Sequence, residues 1–126
     1  MGKIIVLDDV ADAGRMVQRI LERKGHVVHP FTDEEQALDF LRREGADLAI
    51  LDIKLKRMSG IEVLEEMKRI APDLKVIMLT GYPTLDTARQ AQQLGAFEYC
   101  IKPIDKDELE DKVAVALEDS AQSLSS

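Results

Sequence analysis

Along the chain, short unbroken apolar runs alternate with longer stretches in which apolar residues recur at helical spacing. The runs occupy residues 4–7, 27–31, 48–51, 76–79 and 97–101, each of strand length and rich in β-branched or large apolar side chains. They predict five strands. Because the runs are continuous rather than strictly alternating, each strand is expected to be covered on both faces, as in a parallel sheet between two helical layers. Asn-Gly, Asp-Gly and Gly-Gly pairs are absent, so tight two-residue hairpins are not expected.

Five helical patterns follow the five runs. The first carries Ala13, Met16, Val17, Ile20 and Leu21 on one face and stops near Gly25. The second is predicted to start on Thr32, with Glu35 completing a capping box, and to close at Gly45. The third opens on a Ser59 and Glu62 box, carries Ile61, Leu64, Met67 and Ile70, and ends before Pro72. The fourth begins near Pro83 and stops at Gly95. The fifth opens on Asp105 with Glu108 and runs toward the Ser-rich segment 120–126, expected to be a frayed tail or the start of a linker.

A β-α unit repeated five times selects one α/β domain, an open doubly wound (βα)5 sheet with right-handed crossovers, over a sandwich or a helical bundle. The chain has 126 residues. An eight-unit barrel needs about 200 or more. No internal repeat beyond this alternation, and no second domain, is visible.

Composition and charge narrow the partners. With 17 Lys and Arg against 24 Asp and Glu, the net charge is −7. Such a surface repels phosphate backbones and anionic lipid, so neither direct nucleic acid binding nor membrane association is expected. The lone Cys100 excludes an internal disulfide and reads as a small buried hydrophobe, while the lack of any Asn excludes N-glycosylation. Asp8 and Asp9 interrupt the N-terminal apolar stretch, Val6 stands where a myristoylation motif needs Ser or Thr, and no stretch reaches the ~20 apolar residues of a membrane span. A reducing cytoplasm fits these features.

In open α/β sheets, ligands gather at the carboxyl ends of the strands. Here the first strand ends in Asp8 and Asp9, the third in Asp52, the fourth in Thr80 and Gly81, and the fifth in Lys102 before Pro103. The second ends without a charge, so strands 1, 3, 4 and 5 are expected to border one site with strand 2 outside it, as the order 2-1-3-4-5 allows. Like charges roughly 4 Å apart repel by about 4 kcal/mol at an effective dielectric near ~20. Lys102 supplies one compensating charge. An all-carboxylate donor set selects hard Mg²⁺ or Mn²⁺ over zinc for the rest, and His26 and His29 lie away from it around strand 2.

These residues resemble the receiver domain of two-component response regulators, a flavodoxin-like fold with strand order 2-1-3-4-5. The matching pieces are Ile4-Ile5-Val6-Leu7-Asp8-Asp9, Asp47-Leu48-Ala49-Ile50-Leu51-Asp52, Met58-Ser59-Gly60, Val76-Ile77-Met78-Leu79-Thr80-Gly81 and Tyr99-Cys100-Ile101-Lys102-Pro103, in order along essentially the whole chain. The resemblance implies a receiver over residues 1–119 in which Asp52 accepts a phosphoryl group from a phosphohistidine of a sensor histidine kinase or a phosphotransfer protein. It implies that Asp8, Asp9, Asp52 and the backbone carbonyl of Lys54 hold Mg²⁺, with Lys102, Thr80 and Gly81 contacting the phosphoryl oxygens. It implies a cis Lys102–Pro103 bond.

For output, the resemblance implies that Thr80 moves toward the phosphoryl group and Tyr99 turns inward, repacking the face of helix 4, strand 5 and helix 5. That face would meet a target protein, an output domain not contained in this sequence, or a second copy, the last suggested by the apolar stretch Val113-Ala114-Val115-Ala116-Leu117. Lys54 and Tyr82, each two residues beyond Asp52 and Thr80, are expected to tune the phosphoryl lifetime. Lys56 stands where the family has proline, and Lys54, Lys56 and Arg57 make that loop basic.

Three other readings use the same fold class or cluster. A flavodoxin-like electron carrier needs hydroxyls and N–H groups after strand 1, where Asp8 and Asp9 would repel a flavin phosphate. A phosphatase of the haloacid dehalogenase type needs its two acids separated by one residue, and here they are adjacent. The remaining alternative is a degenerate receiver that acts only as a protein-docking module.

Overall fold

The computed structural model describes residues 2–55 and 58–125. Its elements are β1 (Lys3–Leu7), α1 (Ala11–Glu22), β2 (Val27–Phe31), α2 (Glu34–Glu44), β3 (Leu48–Leu51), α3 (Gly60–Ile70), β4 (Lys75–Thr80), α4 (Leu85–Gln93), β5 (Glu98–Ile101) and α5 (Lys106–Ser125). The five strands form one parallel sheet in the order β2-β1-β3-β4-β5. Among the described residues, no helix is long and apolar enough to cross a membrane.

The unbroken apolar runs have the expected cause. Successive side chains of a strand face opposite ways, and both ways lead into protein. Ile5 and Leu7, Ala49 and Leu51, and Val76 and Met78 enter one core with Leu38 and Leu41 of α2, Leu64 and Met67 of α3 and Ala91 of α4. Ile4 and Val6, Leu48 and Ile50, and Ile77 and Leu79 enter the other, with Val17 and Leu21 of α1 and Leu109 and Val113 of α5. The border strand β2 departs from this pattern: Val27 is exposed, and Pro30, which has no N–H, sits opposite Val6. Proline is tolerated there because a border strand leaves one row of backbone groups unpaired.

Helix ends follow the sequence with two shifts. Ser59 and Glu62 form the predicted box at α3, and Gly25, Gly45 and Gly95 take positive φ at the predicted stops. At α2 the cap is Asp33 rather than Thr32, its carboxylate accepting the Gln36 N–H at 3.0 Å. Asp caps as well as Thr, so two candidate caps in a row leave the register open by one residue. At α4 the start lies beyond Pro83, on a reciprocal box between Thr84 and Thr87. In α1, Gly14, Val17 and Leu21 form the buried stripe, and Met16, expected in it, is 57% exposed. The backbone of α5 is helical through Ser125, into the segment 120–126.

The two histidines stay apart from the strand ends that carry acids. His29 stacks obliquely on Phe40, with ring centroids 4.6 Å apart. His26 accepts the Gly2 N–H on Nδ1 at 3.1 Å, and burial holds its pKa below the ordinary 6.5. A folded-state pKa below the unfolded one means that the unfolded chain binds the extra proton first, so His26 contributes stability above the unfolded value that is lost as pH falls. The urea midpoint is expected to drop from about pH 7.5 to about pH 5.5, and to drop less in His26→Asn, whose side-chain oxygen accepts the same bond without titrating. Equal slopes for the two proteins in urea titrations would contradict this assignment.

Candidate functional site

The carboxyl ends of β1, β3, β4 and β5 meet in one pit. Asp8 and Asp52 are buried, 6% and 8% exposed, and Asp9 is half-buried beside them. One carboxylate oxygen from each of the three lies within 4.8 Å of the others. Strand pairing sets this distance: β1 and β3 are adjacent and in register up to Leu7 and Leu51, so the residues that follow, Asp8 and Asp52, leave the sheet side by side.

Lys102 enters from β5. Its Nζ donates to Asp8 Oδ2 at 2.6 Å and to Asp52 Oδ2 at 3.3 Å. Burial works against the ammonium, but the bonds and charges of Asp8 and Asp52 outweigh it and raise the Lys102 pKa above 10.5. One ammonium against three carboxylates still leaves two charges uncompensated if all are ionised. The all-oxygen donor set therefore fits a small hard divalent cation. The second carboxylate oxygen of Asp8 and of Asp52 is tied to the backbone: Asp8 Oδ1 accepts the Val10 N–H at 2.9 Å, and Asp52 Oδ1 accepts the Lys54 N–H at 3.3 Å.

The other expected residues are here too. Thr80, fully buried, accepts the Tyr82 N–H on Oγ1 at 3.0 Å, which uses a lone pair and leaves the hydroxyl proton to donate. Gly81 lies beside Lys102, since a Cβ on Gly81 would stand 4.0 Å from that of Lys102. The Lys102–Pro103 bond is cis. Tyr82 is 61% exposed, and Lys54 Nζ sits 4.2 Å from its ring centroid, a cation–π contact joining the loops after β3 and β4. Tyr99 stands further off: its hydroxyl is 2.8 Å from Thr87 Oγ1 on α4. Lys56 and Arg57, which make the first of these loops basic in the sequence, lie outside the described residues.

Three features were not singled out from the sequence. A cavity of about 350 Å³ reaches Asp8, Asp52 and Lys102 between Met16 and Val17 of α1 and Ile104 after β5, which gives the exposed Met16 a place at its wall. Thr87 escaped notice because its partners are assembled by the fold. Gly60 ends the Met58-Ser59-Gly60 motif, and packing gives its reason: its N–H donates to the Ile53 carbonyl at 2.6 Å, and a Cβ there would come within 2.6 Å of Ile53 Cα and closer still to the Asp52 carbonyl oxygen. Backbone cannot yield as a side chain can, so Gly60→Ala is expected to cost about 1 to 3 kcal/mol in urea denaturation. A loss indistinguishable from zero would mean that α3 slides away from Asp52 freely.

Known proteins share this arrangement. The family model of the response regulator receiver domain matches residues 4–114. The chain is 35% identical over 111 residues to the sporulation initiation phosphotransferase F of Bacillus subtilis (strain 168), a match covering 88% of this chain and 90% of that protein. It is 37% identical over 114 residues to the transcriptional regulatory protein ZraR of Klebsiella oxytoca, covering 90% of this chain and 26% of that protein. The chain thus spans about a quarter of the length of that larger relative. Among solved structures, the response regulator receiver domain protein (CheY-like) from Methanospirillum hungatei JF-1 superposes with a TM-score of 0.95 at 30% identity, covering 98% of both chains.

Proposed function

The chain belongs to the response regulator receiver domain family of two-component signalling, and from that premise we propose that Asp52 takes a phosphoryl group from the phosphohistidine of a sensor histidine kinase or a phosphotransfer protein. The observation that carries this reading is the meeting of Asp8, Asp9 and Asp52 around the Lys102 ammonium. A carboxylate oxygen of Asp52 attacks phosphorus, the P–N bond breaks with its electron pair going to the imidazole, and an acyl phosphate remains on Asp52. Asp8, Asp9, Asp52 and the backbone carbonyl of Lys54 would hold Mg²⁺, or Mn²⁺, which when bound offsets the charge of the phosphoryl oxygens.

The chain's own residues do the rest. Lys102 is already charged and already bonded to Asp52, so it meets a phosphoryl oxygen with little rearrangement. The Thr80 hydroxyl and Gly81 N–H donate to another, and the Thr80 shift lets Tyr99 reorient, which alters the face of α4, β5 and α5. Leu85, Ile101 and Val115 are exposed, one on each of those elements, and support a role for that face in meeting a target protein, an output domain or a second copy. The switching unit is residues 1–119, with 120–126 as tail or linker, working in the cytoplasm where phosphohistidine donors and Mg²⁺ are at hand. It is a switch that modifies itself rather than an enzyme turning over an external substrate.

Two measurements test the reading. Incubation with acetyl phosphate and Mg²⁺ is expected to add one phosphoryl group to the wild type and none to Asp52→Asn, read by intact mass. Modification that persists in the variant would overturn the acceptor assignment, and modification of neither protein would favour a docking module. The Tyr82 ring, steadied by Lys54, screens the acyl phosphate from water, so Tyr82→Ala is expected to shorten its lifetime severalfold. A lifetime already short in the wild type and unaltered in the variant would remove Tyr82 from this role.

A further inference from the structure

The Thr87 hydroxyl, in the first turn of α4, has four polar neighbours. They are the Thr84 N–H at 3.3 Å, the Thr84 hydroxyl at 2.9 Å, the Thr84 carbonyl at 3.1 Å and the Tyr99 hydroxyl at 2.8 Å. A threonine hydroxyl has one proton to donate and two lone pairs, so it satisfies three partners at most. One neighbour is in excess. The Tyr99 contact is the shortest and the only one of the four that leaves the helix, whereas the Thr84 N–H contact is the longest. When Tyr99 departs, Thr87 keeps a full set of partners inside its own capping box.

The consequences for the two partners differ. Thr87 loses nothing it cannot replace, while Tyr99 gives up a hydrogen bond. In this structure Tyr99 is half-buried and lines a groove of about 280 Å³ with Ala88, Ala91 and Phe97, between α4 and β5. Among the described residues, its hydroxyl makes one polar contact, the one to Thr87 on α4. We propose that Thr87 is a positioning residue that latches Tyr99 to the start of α4 and so sets how readily the chain changes state on phosphorylation. This inference rests on the phosphoryl-switch reading above. Every partner of the latch is fixed by the fold: Tyr99 by β5, and Thr87 by the box that starts α4.

The test uses the full chain in Mg²⁺ with beryllofluoride as the phosphoryl mimic, followed through the amide NMR resonances of Thr80 and Gly81. Thr87→Val keeps the branched shape and removes the hydroxyl. It is expected to lower the half-saturating beryllofluoride concentration by about threefold to tenfold, the scale of one hydrogen bond. The same substitution placed on Tyr99→Phe is expected to have no effect, and Thr87→Ser is expected to restore the wild-type value. Thr84→Ala weakens the cap but leaves the Thr87 and Tyr99 hydroxyls in place with one competitor fewer, and is expected not to lower half-saturation.

An unshifted Thr87→Val, an equal shift in the Tyr99→Phe background, or the same shift in Thr84→Ala would each overturn the latch while leaving the phosphoryl switch intact. A wild type that ignores beryllofluoride would overturn the switch and the latch together.

Discussion

Three acidic side chains at the end of a parallel sheet repel one another, and one ammonium bridges two of them. Lys102, just past β5, spans Asp8, just past β1, and Asp52, just past β3, although β5 pairs with neither strand, since β4 lies between β3 and β5. The sheet order puts it there. A network of this kind, drawn from residues 8, 52 and 102, forms only if every strand between them is in register, so the site depends on β1, β3, β4 and β5 together. The charge left over after Lys102 is what suits the pit to a small hard divalent cation.

Much of the fold was legible because burial on both sides of a strand writes itself as an unbroken apolar run. The runs at residues 48–51 and 27–31 match β3 and β5's counterpart at the opposite border, β2, to the residue. The acids and Lys102 were equally legible, because strand ends are where a parallel sheet exposes its chemistry. What escaped depends on contacts between distant segments or on near-equivalent neighbours. Thr32 and Asp33 are both good caps, and only the placement of α2 against the sheet selects Asp33. Met16 has the spacing of a core residue, yet it lies exposed at a cavity wall while Gly14, Val17 and Leu21 of α1 are buried. The Thr87 to Tyr99 contact joins α4 to β5, and no local pattern in either segment signals it.

The division of labour between the two faces of the sheet bears on signalling. Thr80 ends β4 and Tyr99 lies on β5, opposite Met78, which enters the core shared by α2, α3 and α4. Cys100, the next residue, points into the core of α1 and α5. Burial raises its thiol pKa and keeps it in the less reactive protonated form. Changes at Tyr99 thus reach α4 directly, while α5 is tied to the same strand through Lys112, which donates to Glu98 at 3.1 Å. A single strand is coupled to both α4 and α5.

The close seating of Gly60 against the backbone of Asp52 and Ile53 has a mechanical meaning. The main chain beneath the Asp52 carboxylate is wedged from one side by the start of α3 and stitched from the other by β1, whose Leu7 carbonyl accepts the Asp52 N–H. The strand end at Asp52 therefore has no room to recoil toward α3, and the sheet serves as a rigid footing for the Asp52 carboxylate.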